Sequence, residues 1–120
     1  MNSDEPVIGI VGPCAAGKTT LVADLRSIGY QVRHIAQEHS YVQDMWKQIS
    51  NPDILIYLDV SYEISIFRTG SKWPKAIFEK QVKRLAHAKE HSDLYINTND
   101  KSPEQVVEIV LDNLQDLADK

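Results

Sequence analysis

The apolar positions of this chain alternate between two rhythms. Val7 to Val11 (VIGIV) and Ile54 to Val60 (ILIYLDV) are near-continuous apolar runs, as expected for strands buried on both faces. Tyr30 to Ala36 (YQVRHIA) alternates at period two and predicts a second strand, and Asp93 to Thr98 (DLYINT) predicts the last one. Between them the spacing becomes helical. Leu21, Val22, Leu25 and Ile28 share one face, and Gly29 supplies a C-terminal stop. Ser40 with Gln43 forms a capping box for a helix that carries Val42, Met45, Trp46 and Ile49 and ends before Asn51-Pro52. Ser61 caps a short helix reaching about Arg68, and Pro74 suits the first turn of a longer one bearing Ile77, Phe78, Val82, Leu85, Ala86 and Ala88. Ser102-Pro103-Glu104-Gln105 opens a final helix with Val106, Val107, Ile109, Val110, Leu114 and Leu117.

Strands that alternate with helices imply an α/β domain with a parallel sheet of about four strands, covered on both sides in three layers. Residues 1–120 read as one domain. Ligands of such sheets bind at the carboxyl ends of the strands. That rule groups four pieces at one edge: the loop after the first strand, the Gln37-Glu38-His39 stretch, Asp59, and the loop from Thr98 to Pro103.

The loop after the first strand carries the strongest chemical signal. GPCAAGKTT, from Gly12 to Thr20, fits G-x-x-x-x-G-K-[ST], the phosphate-binding P-loop, with a strand leading in and a helix leading out. A triphosphate brings several negative charges that must be matched without bulky side chains. Gly12 and Gly17 let the backbone of Pro13, Cys14, Ala15 and Ala16 curl so that N–H groups point at phosphate oxygens. Lys18 is expected to reach the β- and γ-phosphates, Thr19 to ligate Mg²⁺, and Thr20 to touch the α-phosphate.

Composition narrows the rest. No apolar run approaches the roughly 20 residues of a membrane span, and MNSDEP carries no signal-peptide pattern. The single cysteine, Cys14, excludes an internal disulfide and suits the cytoplasm. A zinc site is not expected, because Cys14 and the histidines lack ligand spacing. Net charge is −4, yet seven of the thirteen Lys and Arg residues lie between Arg68 and Lys89, with Glu79 the one acid there. A basic block in an acidic chain suggests an anion site, and the overall acidity and lack of interleaved aromatics argue against nucleic acid as a partner.

Read in order, the chain resembles the P-loop small-molecule kinases: nucleoside and nucleotide kinases, shikimate kinase and adenylylsulfate kinase. PDILIYLDVSYEISIFR looks like that family's strand–helix unit ahead of the lid. KAIFEKQVKRLAHAKEHSDLYINTNDKSPEQVVEIVLDNL looks like its lid-following helix, last strand and closing helix. The resemblance implies a P-loop NTPase fold, ATP with Mg²⁺, and a lid arginine at Arg68 that stabilises charge during transfer. One departure stands out: about one strand–helix unit is missing between Val32 and Asn51. With that insert gone, the second strand takes the place beside the P-loop strand, and Glu38 becomes the carboxylate facing the γ-phosphate, as metal ligand or base. Asp59, ending an apolar run in a Walker B-like manner, is the competing metal carboxylate. His39 is a candidate for orienting substrate, His34 belongs to the strand, Arg84 is a second candidate cation, and Trp73 either stacks on substrate or packs under the lid.

The expected function is transfer of the γ-phosphoryl group of ATP·Mg²⁺ to a small-molecule acceptor, with Lys18, Glu38 and Arg68 in the catalytic roles. The alternative is a nucleotide-binding switch module that hydrolyses slowly or not at all. The acceptor, the choice of base and the oligomeric state are not legible.

Overall fold

A computed structural model describes residues 5–118. Four parallel strands, β1 (Val7–Val11), β2 (Gln31–His34), β3 (Ile54–Asp59) and β4 (Leu94–Asn97), form one sheet in the order β2-β1-β3-β4. The helices are α1 (Lys18–Ile28), α2 (Tyr62–Thr69), α3 (Lys75–Arg84), α4 (Ala86–Glu90) and α5 (Pro103–Ala118). Because β1 and β3 are central, their side chains are buried on both faces, which explains their unbroken apolar sequences.

Two cores result, one on each face of the sheet. Ile8, Ile10, Ile54, Ile56 and Leu58 meet Leu21 and Leu25 of α1 and Val106, Val110 and Leu114 of α5. On the other face Val11, Ile35, Leu55 and Tyr57 meet Trp46, Leu85 and Ala88. The α5 N-terminus closes with a reciprocal capping box: Ser102 N–H donates to Gln105 Oε1 (2.8 Å) and Gln105 N–H to Ser102 Oγ (3.2 Å). Ser61 caps α2 by accepting from the Ile64 N–H at 3.3 Å.

The helix expected from Ser40 does not form. A turn over residues 41–44 leads into a single π-helical turn, Trp46–Ser50. The buried side chain of Gln37 is the cause. Its Nε2 donates to Val42 O (2.9 Å) and its Oε1 accepts from Trp46 N–H (2.9 Å), so it occupies the two backbone groups that an α-helix would pair with each other. Trp46 stays in the core, while Val42 and Ile49 face solvent. The Ser40 hydroxyl turns on the Val42 N–H (3.1 Å), and Gln43 reaches across to Lys83 O (3.1 Å) instead of closing a capping box. The predicted long helix after Pro74 is divided at Leu85 into α3 and α4.

Among the described residues, no helix is long and apolar enough to cross a membrane.

The β1–β3 contact sets the site's position. Gly12 ends β1 at φ 156°, and a Cβ there would lie 2.1 Å from the Leu58 carbonyl oxygen. Gly12→Ala is therefore expected to cost about 3 kcal/mol or more, because backbone must move against backbone. Gly70→Ala, also at positive φ but with open space around it, should cost only about 1–2 kcal/mol. Urea denaturation of the two variants checks the contrast; equal losses would mean that β1 and β3 can separate freely.

Candidate functional site

The loop between β1 and α1 curls through left-handed positions at Ala15 (φ 68°) and Gly17 (φ 102°), tied by a hydrogen bond from Ala16 N–H to Pro13 O (3.2 Å). Gly17 is the N-cap of α1 and supplies no side chain to the first-turn N–H groups of that helix. Those donors and the helix dipole favour an anion at this end. Gly17, Lys18, Thr19 and Thr20 line a cavity of about 400 Å³ together with Cys14, Ala15, His34, Glu38, Arg68 and Thr69.

Lys18 folds back under its own loop. Its buried ammonium donates to the carbonyls of Gly12 and Pro13 and to Glu38 Oε2, the last at 2.5 Å. Glu38 reaches this point because β2 lies directly beside β1. The 3₁₀ turn Gln37–His39 that follows β2 thus sits at the same sheet edge as the loop. The Gln37 side chain holds that turn from within by also donating to Arg84 O (3.1 Å), and Arg84 Nη1 donates back to the Glu38 carbonyl (3.3 Å). Glu38 Oε1 is buried and, among the described residues, lacks a hydrogen-bond partner. A buried acceptor in that state invites a donor or a cation.

Arg68, in the last turn of α2, crosses to the other side of the loop. Its Nη1 donates to Ala15 O (2.9 Å) and Thr98 Oγ1 (3.0 Å), and its Nη2 donates to Thr98 O. The Thr98 hydroxyl donates to Ala16 O at 2.9 Å. Arg68, Thr98, Lys101, Thr20 and Val106 contribute to a second cavity, about 220 Å³, beside the first. The loop is thus clasped by an arginine from the end of α2 and a threonine from the end of β4.

Asp59 stands apart. Its Oδ2 accepts from the Tyr95 hydroxyl (2.5 Å) and lies 3.9 Å from Lys89 Nζ, while Oδ1 accepts from Val60 N–H (2.9 Å). Pleating places Asp59 on the Tyr57 side of the sheet, one strand removed from β2, so it does not line either cavity at the loop. Of the two carboxylates weighed from sequence, Glu38 meets Lys18 and Asp59 meets Tyr95 and Lys89. Burial raises the pKa of Tyr57 and Tyr95, and for both the neighbouring Asp59 pushes the same way.

Trp73 packs against Tyr62 and Phe78, ring centroids 6.3 and 5.9 Å away. This is the packing role of its two sequence readings. Lys80, Lys83 and Arg84 of the basic block line a surface cavity with Tyr41, over whose ring the Arg84 guanidinium lies at 4.4 Å. Gln81 was not legible as a site residue. It is buried between Phe78 and Leu85 and braces Cys14 twice, accepting from its N–H (3.1 Å) and donating to its Sγ (3.3 Å). A polar residue at an apolar helical position was the available signal. The fold also brings ligating atoms of Cys14, Glu38 and His39 within 4.8 Å of one another, a group that sequence spacing had argued against.

Comparison with protein-family models and with curated proteins gives no match.

His34, at the end of β2 on the cavity wall, has its pKa lowered by desolvation and then by the Lys18 charge, with Glu38 acting in the opposite direction. Its NMR titration midpoint should fall below 6.5, and Glu38→Gln should lower it further. As the pH drops below 6.5, the unfolded chain takes up this proton before the folded one, so stability declines towards the folded midpoint. His34→Gln should flatten that part of the stability curve. A midpoint at or above 6.5 would contradict the lowered value.

Proposed function

We propose that this chain is a P-loop NTPase-type domain, with the α/β/α layering of that class, that binds ATP through the Gly12–Thr20 loop and transfers its γ-phosphoryl group to a small-molecule acceptor. The observation that carries this reading is Lys18. Its ammonium is held beneath a curled loop whose helix N-terminus bears no side-chain cap, and it is matched by one buried carboxylate, Glu38. Burying such a pair costs desolvation that its mutual attraction need not return, so stability alone is a weak reason for it.

The residues suit a triphosphate. First-turn N–H groups of α1 receive the β- and γ-phosphates, and Lys18 exchanges its loop carbonyls for phosphate oxygens. Arg68, already against the loop at Ala15, neutralises charge that develops on the transferred group. The residues also fit Mg²⁺: the Thr19 hydroxyl lies in the first turn of α1, and the buried Glu38 Oε1, without a partner among the described residues, is an oxygen of the hard type that this ion takes. Bound Mg²⁺ would supply charge neutralisation at the β- and γ-oxygens. Glu38 is then placed to orient that ion's surroundings or to accept a proton from the acceptor hydroxyl. The cavity beside Thr98 and Lys101 receives the nucleoside end.

A nucleotide-binding switch without transfer remains the second reading, and one observation favours it. Between β2 and β3 the chain has a 3₁₀ turn, an irregular turn and one π turn, with no separate unit to enclose an acceptor.

Titration of ATP with Mg²⁺ by calorimetry, then a transfer screen over nucleosides, nucleotides and small hydroxyl metabolites, separates the readings. Binding with transfer supports the kinase, binding without transfer supports the switch, and no binding overturns both. Removing Lys18 alone would strand the buried Glu38 at a cost of about 3–5 kcal/mol. The variant to use is therefore Lys18→Met with Glu38→Gln, which is expected to weaken ATP binding about 100-fold in a folded protein. Glu38→Gln by itself leaves the Lys18 ammonium without its carboxylate, at a similar cost in stability, and in the folded fraction should lower turnover about 100-fold or more, with ATP affinity nearly unchanged.

A further inference from the structure

We propose that Cys14, Glu38 and His39 form a binding site for Zn²⁺, separate in chemistry from any site for Mg²⁺. Three observations converge. A sulfur, a carboxylate oxygen and an imidazole nitrogen from these residues lie within 4.8 Å of one another. In a tetrahedral zinc site the bond lengths of about 2.0–2.3 Å set donor separations of about 3.3–3.8 Å, so donors at the 4.8 Å limit must draw together by about 1 Å to share an ion. Second, Glu38 is 94% buried, and its Oε1 has no hydrogen-bond partner among the described residues while Oε2 is anchored on Lys18. Oε2, held by Lys18, lies 3.8 Å from His39 Nε2, and Oε1 is the oxygen left without a partner, so the carboxylate can serve Lys18 and a metal ion together. Third, Gln81 holds Cys14 from behind, donating its Nε2–H to Sγ at 3.3 Å while its Oε1 accepts the Cys14 N–H. An N–H donor to the sulfur, supplied by a buried residue, is outer-shell support for a metal ligand.

The donor set selects the metal. Thiolate and imidazole favour Zn²⁺ or Co²⁺ over Mg²⁺ and Ca²⁺, which take oxygen. Three protein donors leave a fourth position for water, the pattern of an open rather than a closed structural site. As the metal–sulfur bond forms, the thiol proton passes to solvent and no redox change occurs. His39 is well exposed and adjacent in sequence to Glu38, so it can swing onto the ion from the solvent side.

The test uses the metal-free full chain and no nucleotide, so it is independent of the proposed kinase activity. Titration with Co²⁺ is expected to give one equivalent of binding with a thiolate-to-cobalt charge-transfer band in the near ultraviolet, abolished by excess Zn²⁺. Cys14→Ser should remove the band, and His39→Ala should weaken binding about tenfold or more. In the unaltered protein, Zn²⁺ should also slow alkylation of Cys14 by iodoacetamide, a readout that needs no variant to fold. Absence of the charge-transfer band, or alkylation at the same rate with and without Zn²⁺, would overturn the proposal.

Discussion

The buried ion pair between Lys18 and Glu38 is the constraint on which the site's architecture turns. A lysine at the start of α1 could extend into water, but here its ammonium is covered, and a covered ammonium must find acceptors. Two come from its own loop, which curls tightly enough to present them. The third comes from the turn that follows a different strand and requires β2 to lie beside β1. Loop conformation, strand order and the placement of the Gln37–His39 turn are thus coupled through one nitrogen atom.

Two buried glutamines extend that coupling outward. Gln37 takes the backbone groups of Val42 and Trp46 and the carbonyl of Arg84, so the segment after β2 folds over the site as turns and not as a helix. Gln81 ties α3 to the loop at Cys14. Each satisfies otherwise unpaired polar groups inside the protein, where leaving one unmade costs about 1–3 kcal/mol. On the far edge, Asp59, Tyr95 and Lys89 form a separate polar cluster, with Tyr57 and Tyr95 stacked at 5.8 Å. The carboxyl edge of the sheet therefore carries two electrostatic centres, and the proposed nucleotide chemistry belongs to the one that includes the loop.

The same geometry gives Glu38 more than one possible partner. Its Oε2 is held by Lys18 and lies 3.8 Å from His39 Nε2, while Oε1 is buried with no hydrogen-bond partner among the described residues. Both the proposed Mg²⁺ role and the proposed Zn²⁺ site draw on that one oxygen, so the two ions would compete for it. Charge, ligand softness and the presence of phosphate would decide which is held.

The strands were legible because central parallel strands are buried on both faces, and long apolar runs such as Ile54 to Leu58 have few other uses. The capping box of the last helix was legible because its chemistry is local: Ser102 and Gln105 lie one helical turn apart, whereas the close pass of Gly12 by the Leu58 carbonyl depends on the pairing of β1 with β3. The pattern from Ser40 to Ile49 misled because local periodicity carries no record of Gln37, whose side chain competes for the helix's own hydrogen bonds. The meeting of Glu38 with Lys18, the separation of Asp59 from the loop, and the grouping of Cys14, Glu38 and His39 were decided by strand order and pleat. Sequence determined which residues had the chemistry to hold phosphate or metal; only the tertiary structure determined which of them share a site, because contacts across 20 to 67 positions depend on how the sheet is assembled.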